Sequence, residues 1–333
     1  AEGFSTVTYT GNGGTQSIEG VGFEPDFVWV KERNGTETHL LFDSVRGATN
    51  RLNSNSTNAE ASFSNTLTSF DSSGFTTGND GGMNNSGDSY VAWCWDAGTG
   101  SAVSNTDGSI TSSVKANTAN GFSIVSYTGT GANATVGHGL SSAPEMIIIK
   151  NRDDTVKWRV YSAPTGATGY LELNTTSGFT TGTHFQNTDP TSSVFYVSTV
   201  VTVNGNNDDM IAYCFHSVSG YSSIGSYTGT GAAGNSITGL GFEPAWIMVK
   251  RTDNTSNWSI YDNTRTPINP RNLTLYANLS NAETTSTSNA IDFDSDGFTL
   301  LGTGTTANAS GGTYIYMAFA DTRDATFFGD TSG

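Results

Sequence analysis

Asp292-Phe-Asp294-Ser-Asp296-Gly297 is the stretch whose spacing comes nearest to a metal loop. Carboxylates at alternate positions ahead of a glycine can gather hard oxygens around one point, which is the chemistry calcium requires. The bidentate glutamate that completes an EF-hand is missing. Related segments elsewhere are thinner, Asp71-Ser-Ser-Gly74 and Ser177-Gly178. The competing reading is a turn whose aspartates accept bonds from the backbone. Calcium on Asp292, Asp294 and Asp296 is the one cofactor expectation the sequence raises.

Three further loops, at 78–88, 203–209 and 302–312, are rich in Asn, Asp and Gly. Exposed loops on a rigid scaffold commonly carry binding residues, and amides with carboxylates can bond sugar hydroxyls. Asn79, Asp80, Asn84, Asn85, Asp88, Asn206, Asn207 and Asp208 are the ligand-binding candidates. Trp29, Trp158, Trp246 and Trp258 fall within strand-like runs and are expected in the core, so they are not available for stacking on a sugar.

Nucleophilic catalysis needs a Ser or Cys beside a base with an orienting partner. The histidines, His39, His138, His184 and His216, fall at unrelated positions, and no G-x-S-x-G elbow occurs. Glu24 and Glu243 precede prolines and Glu145 follows one, which is a pattern of build and does not make a glycosidase pair. No catalytic residue is expected. Cys94 and Cys214 sit in matching contexts, WCW and YCF, with Ala320 at the third place, and read as small buried hydrophobes without a bridge. Arg46 and Arg265 follow matching strands and are expected to pair with Asp43 and Asp262; a contact with a neighbouring subunit is the alternative.

The elements that must position these residues recur three times. Segments 9–31, 127–150 and 227–250 each run from a tyrosine through a Gly-rich turn and a proline corner (Pro25, Pro144, Pro244). Each then enters an apolar run ending in lysine: DFVWVK, EMIIIK and AWIMVK. Apolar residues at nearly every position predict central strands buried on both faces, with Lys31, Lys150 and Lys250 where the strand leaves the core. Eight residues beyond each lysine come His39, Trp158 and Trp258. A Gly-Phe-Thr step and a closing strand (YVAWCW, MIAYCF, YIYMAFA) complete each copy.

This pattern predicts an all-β fold of three tandem antiparallel β-sandwich repeats, jelly-roll or lectin-like, with little helix. The expected boundaries are 1–98, 121–218 and 219–321, with 99–120 as a polar linker. Residues 322–333 read as a tail leading to a further region.

Composition agrees. Of 333 residues, 40 are Gly and 7 Pro, charged residues are 13%, yet aromatics reach 11%. Disordered chains lack aromatics and carry more charge. The net charge of −16 repels phosphate backbones and anionic lipid headgroups, so neither nucleic acid nor membrane is expected as a partner. The opening AEGFSTV has no charged segment followed by an apolar one, so no signal peptide is expected.

The run GFEPDFVWVKERNG, with HLLFDSVRGA, LTSFDSSGFTTG and GDSYVAWCWDAG, resembles an uncharacterised repeat domain of marine bacteriophage virion proteins. The likeness extends over the first and third copies and thins in the second, at SSAPEMIIIKNRDD. It implies a structural or adhesive component, a tail fibre, tail tip or capsid decoration, located on the virion and so extracellular. Other virion proteins, further copies of the chain and a host-surface glycan are the implied partners. A lectin-like carbohydrate-binding module is the second reading, and a polysaccharide-degrading enzyme the third.

Overall fold

The computed structural model describes residues 3–320, so the expected tail at 322–333 lies outside the described residues. Unit one comprises β1 (Phe4–Thr10), β2 (Gln16–Glu19), β3 (Phe27–Glu32), β4 (Leu40–Asp43), β5 (Asn50–Arg51), β6 (Ala61–Ser62), β7 (Leu67–Asp71), β8 (Gly74–Thr77) and β9 (Ser89–Trp95). Next come β10 (Val103–Asn105) and β11 (Ser112–Asn117). Unit two then has β12 (Phe122–Thr128), β13 (Ala134–Gly137), β14 (Met146–Asn151), β15 (Arg159–Ser162), β16 (Gly169–Tyr170), β17 (Thr180–Thr181), β18 (Val194–Val197) and β19 (Asp209–Phe215). Unit three has β20 (Ser222–Thr228), β21 (Asn235–Thr238), β22 (Trp246–Arg251), β23 (Trp258–Asp262), β24 (Leu273–Tyr276), β25 (Thr284–Thr285), β26 (Ile291–Asp294), β27 (Gly297–Leu300) and β28 (Thr313–Phe319). Helix among the described residues is confined to four-residue turns, α1 (Gly81–Asn84), α2 (Val201–Asn204) and α3 (Thr305–Asn308).

The fold is all-β, and its strand pairs are antiparallel apart from one isolated parallel bridge, Ile110 to Val136. The main sheets share one core order: β1-β9-β3-β4, β12-β19-β14-β15 and β20-β28-β22-β23. Smaller sheets, β2-β8-β7, β13-β18 and β21-β27-β26, lie beside them.

Side-chain alternation explains the unbroken apolar runs. Val28 and Val30 face a core private to unit one, Ile147 and Ile149 one private to unit two, and Ile247 and Val249 one private to unit three. On the opposite faces, Phe27 and Trp29, Met146 and Ile148, and Trp246 and Met248 all enter one shared core. The closing strands divide the same way. Trp93, Tyr213 and Met317 face the shared core, while Cys94, Cys214 and Ala318 face the private ones.

Register corrects one equivalence. Cys94 pairs with Val28 and Cys214 with Ile147, and it is Ala318, paired with Ile247, that takes the third place, not Ala320. Both cysteines are buried and free, each in a different core.

Two expectations differ from the structure. The stretch 99–120, read as a linker, carries β10 and β11, which add to the edge of unit two's sheet through β12. Ile110 and Val114 give it enough apolar content to reach unit two's core. The lysines do not leave the core either: Lys31, Lys150 and Lys250 are all fully buried. The two-residue period puts Lys31 on the same side as Phe27 and Trp29, so it ends under a loop at the rim of the shared core.

Candidate functional site

The loops that lead into the closing strands are where the sequence placed its binding candidates; in unit two the strand at the place of Gly74-Phe-Thr76 is β18, paired with β13, and Gly178-Phe-Thr180 instead takes the place of Glu60 and Glu283. Each loop is fastened to the glycine turn that follows the first strand of its unit's main sheet (β1, β12, β20). Gly11 and Gly13 amides donate to Asp88 and Asn84 carbonyls, Gly129 and Gly131 to Asp208 and Asn204, and Gly229 and Gly231 to Gly312 and Asn308. Glycine is required at Gly11, Gly129 and Gly229, because a Cβ there would lie 2.1–2.2 Å from a carbonyl oxygen of the facing loop.

Asn84 is therefore a fastening and is not a ligand-binding residue. It is fully buried, its Oδ1 accepts from the Asn12 amide, and its Nδ2 donates to the Gly14 and Gly78 carbonyls. Asn204 and Asn308 make the same set of bonds in their own units. Asp80 is likewise occupied: it caps α1 through the Gly82 amide and lies 3.8 Å from Arg51.

The remaining candidates stay on the surface. Asn79 is exposed and accepts from Asn65. Asp88 gathers Asn34 and Asn85 at 3.0 and 2.5 Å, and these bonds hold its carboxyl below the ordinary range. In unit two Asp208 accepts from Asn151 at 2.7 Å, and Asn206 and Asn207 project outward. Unit three offers Arg251 and Asp253 at that end, with the Asp253 carboxyl pulled down to about 2 by the guanidinium. The three rims thus share a backbone and differ in exposed chemistry. Among the described residues the exposed large apolar side chains are Phe63, Val103, Val201 and Ile268, and none belongs to the candidate set.

The three candidate calcium ligands are not gathered. Asp294 accepts from the Thr299 hydroxyl, and Asp296 turns away to the Gly239 and Gly241 amides. Burial and the neighbouring Asp294 raise the Asp292 carboxyl above the ordinary range. Among the described residues no group of three or more His, Cys, Asp or Glu side chains is arranged to hold a metal ion. Of the three, Asp296 makes the backbone bonds of the capping-turn reading, and the arrangement described does not bring the three carboxylates around one point.

Other groups with chemical potential are engaged in holding the units together. Each unit's ring nitrogen donates to a neighbour's carbonyl at 2.9 Å: His39 Nε2 to Tyr276, Trp158 Nε1 to Asn53, and Trp258 Nε1 to Glu172. A second cycle runs through backbone amides at 2.7 Å: Glu60 to Arg152, Phe179 to Thr252, and Glu283 to Arg33. Units one, two and three are therefore joined in a closed ring.

Two of these junctions are charged. Arg46 is bound by Asp43 at 2.5 Å and Glu60 at 2.8 Å, and Tyr213 of unit two donates to Asp43. Arg265 repeats this with Asp262 and Glu283, Trp93 Nε1 donating to Asp262 at 3.0 Å. The expected Arg–Asp pairs are present, and the neighbour each one meets is another unit of the same chain. The junction of units two and three has Ser162, Thr165, Phe179, Thr252 and Met317 at the matching places.

The buried lysines donate to carbonyls: Lys31 to Glu32 and Gly35, Lys150 to Asn151 and Asp154, and Lys250 to Ser256 and, across a junction, Thr176. Burial lowers them to about 8, 8 and 7.

Sequence reasoning missed these junctions. The available signal was the recurrence of His39, Trp158 and Trp258 eight residues beyond each lysine, whose ring nitrogens make crossing bonds. No curated protein matches the chain. A family model spanning residues 1–323 does match, and the chain belongs to that family, a domain of unknown function (DUF7483).

Proposed function

We propose that this protein is a non-catalytic structural or adhesive component of a bacteriophage virion, on a tail fibre, tail tip or capsid surface. It would display three antiparallel β-sandwich modules fixed in one body. The observation that carries this reading is the use of the charged and ring-nitrogen groups. Arg46, Arg265, His39, Trp158, Trp258 and the buried lysines all serve to hold one unit to another or to close a loop. A body built this way resists deformation and presents chemically different rims at a fixed spacing, which suits multivalent attachment through weak contacts. The likeness of the GFEPDFVWVKERNG run to virion proteins supports the location.

The test is immunogold electron microscopy of particles from the phage that encodes the chain. Label at a defined position on intact particles is the expected result. Label confined to the soluble fraction of infected cells would overturn the reading. The carbohydrate-binding alternative draws on the Asn34–Asn85–Asp88 rim. Competable binding on a glycan array, abolished by Asp88→Ala, would establish it.

A further inference from the structure

Among the described residues Phe63 is the one exposed aromatic side chain, and it stands on a fixed patch of unit one. A closed circuit of contacts holds that patch. The Arg51 guanidinium lies over the Phe63 ring at 4.0 Å and reaches Asp80 at 3.8 Å. The Asp80 amide donates to the Asn65 carbonyl at 3.0 Å, and Asn65 Nδ2 donates to Asn79 Oδ1 at 3.1 Å. The Thr66 amide and hydroxyl both donate to the Phe63 carbonyl, which puts Phe63 and Asn65 in one turn and completes the circuit. A Cβ on Gly78 would stand 2.5 Å from the Asn65 carbonyl oxygen, so this turn and the 78–80 loop are in direct contact.

Unit three builds the same backbone with other side chains. The Ser286 amide donates to Asn272 as Phe63 does to Thr49, and the Gly304 amide donates to Ser288 as Asp80 does to Asn65. Serines serve the fold at those places, so Phe63 and Asn65 are not needed for it. We propose that this patch binds the face of a neutral pyranose ring in a glycan chain. One face of such a ring carries C–H groups of slight positive charge, which suit the negative face of an aromatic ring, and its rim carries hydroxyls that donate and accept. Arg51 covers one face of Phe63, which leaves the exposed area on the other face and the edge. Asn65 and Asn79 are exposed, and their pairing leaves the Asn65 Oδ1 acceptor and the Asn79 Nδ2 donors unbonded among the described residues. Arg51 and Asp80 balance in charge, and the net charge of −16 disfavours acidic glycans. A protein partner needs about 1,000 Å² of surface, whereas the other exposed apolar side chains, Val103, Val201 and Ile268, stand on units two and three. This inference takes the carbohydrate-binding reading as its premise and places the sugar on a different patch of unit one.

The probes are D-glucose, D-galactose, D-mannose and N-acetyl-D-glucosamine, each titrated into the full chain to about 100 mM, enough to fill a site of millimolar affinity. Saturating the aromatic protons of the protein should transfer magnetisation to the C–H protons of at least one sugar and shift the Phe63 ring signals. Phe63→Ser, the residue unit three has at that place, should weaken binding by at least about tenfold. Its thermal midpoint shows whether the variant is folded. Phe63→Trp should retain binding, and Asn79→Ala should weaken it. No transfer to any of the four sugars, or equal binding by a folded Phe63→Ser variant, would overturn the proposal. Binding kept in Phe63→Ser and lost in Asp88→Ala would overturn this site and leave the carbohydrate reading standing on the other rim. Self-association of the chain that disappears in Phe63→Ser, without sugar binding, would put a second copy on the patch instead.

Discussion

His39 takes the place that Trp158 and Trp258 hold in the other units, and it performs their task with an imidazole. Trp29 Nε1 can only donate, so His39 Nδ1 must accept it at 2.8 Å, which leaves the proton on Nε2 for the Tyr276 carbonyl. Protonating Nδ1 would set donor against donor. Burial, with a smaller push from Lys31, lowers the group from its ordinary 6.5 to about 3. A folded-state value below the unfolded one contributes stability that is complete above pH 6.5 and is lost as pH falls toward 3. Carboxylates such as Glu60, held low by Arg152 and Arg46, act in the same direction, so the histidine must be isolated by difference. Replacing His39 by Trp and Trp29 by Met restores the combination found in unit three, Trp258 with Met248. Between pH 7 and pH 4 this double variant should lose about 3 kcal/mol less stability than the native chain. Urea titrations at the two pH values measure it; equal losses would show that the histidine is not held neutral.

At the scale of strands and their junctions, the charged contact between units one and two invites comparison with its uncharged counterpart. Removing Arg46 alone leaves the buried Asp43 carboxylate without its cation, and breaking a buried pair in this way costs about 3–5 kcal/mol. Arg46→Thr should therefore be severely destabilising. Transferring the whole uncharged set, Asp43→Ser, Arg46→Thr, Glu60→Phe, Arg152→Thr and Tyr213→Met, should cost less than the single change, because no charge is stranded. Equilibrium unfolding of the two variants decides the matter, and a more stable single variant would refute it. The strands themselves were legible in the sequence, since a two-residue period bounded by glycine turns is a local signal. The junctions were not, because Arg33 and Glu283 meet across 250 residues. Among the binding candidates, Asn84 was misread although Asn204 and Asn308 share its place. A side chain kept by all three units serves what they have in common, their build. Asn85, Asp88, Asn206 and Asn207 differ between units and remain on the surface.

For the whole molecule, the question is whether three units that look like separate beads in the sequence behave as one. Each main sheet has its second face in the shared core, where Phe27 stacks on Tyr213 at 4.3 Å and Phe4 on Phe319 at 5.4 Å. A unit cut free exposes that entire face. Residues 1–98 alone would present Phe4, Phe27, Trp29, Trp93 and Trp95 to water, all buried in the intact chain. Loss of that burial removes about 1.5–3 kcal/mol for each large side chain, which over the five is comparable to the whole net stability of a domain this size. The fragment should therefore aggregate or lack fixed tertiary structure. The intact chain should melt in one calorimetric transition whose van't Hoff and calorimetric enthalpies agree, because no unit can release its neighbours without opening the ring. Independent beads predict the reverse: three overlapping transitions, and a soluble fragment with native near-ultraviolet dichroism. Scanning calorimetry of the chain together with dichroism of the 1–98 fragment separates the two cases. A folded fragment would show that the private cores suffice and that the shared core only docks finished units.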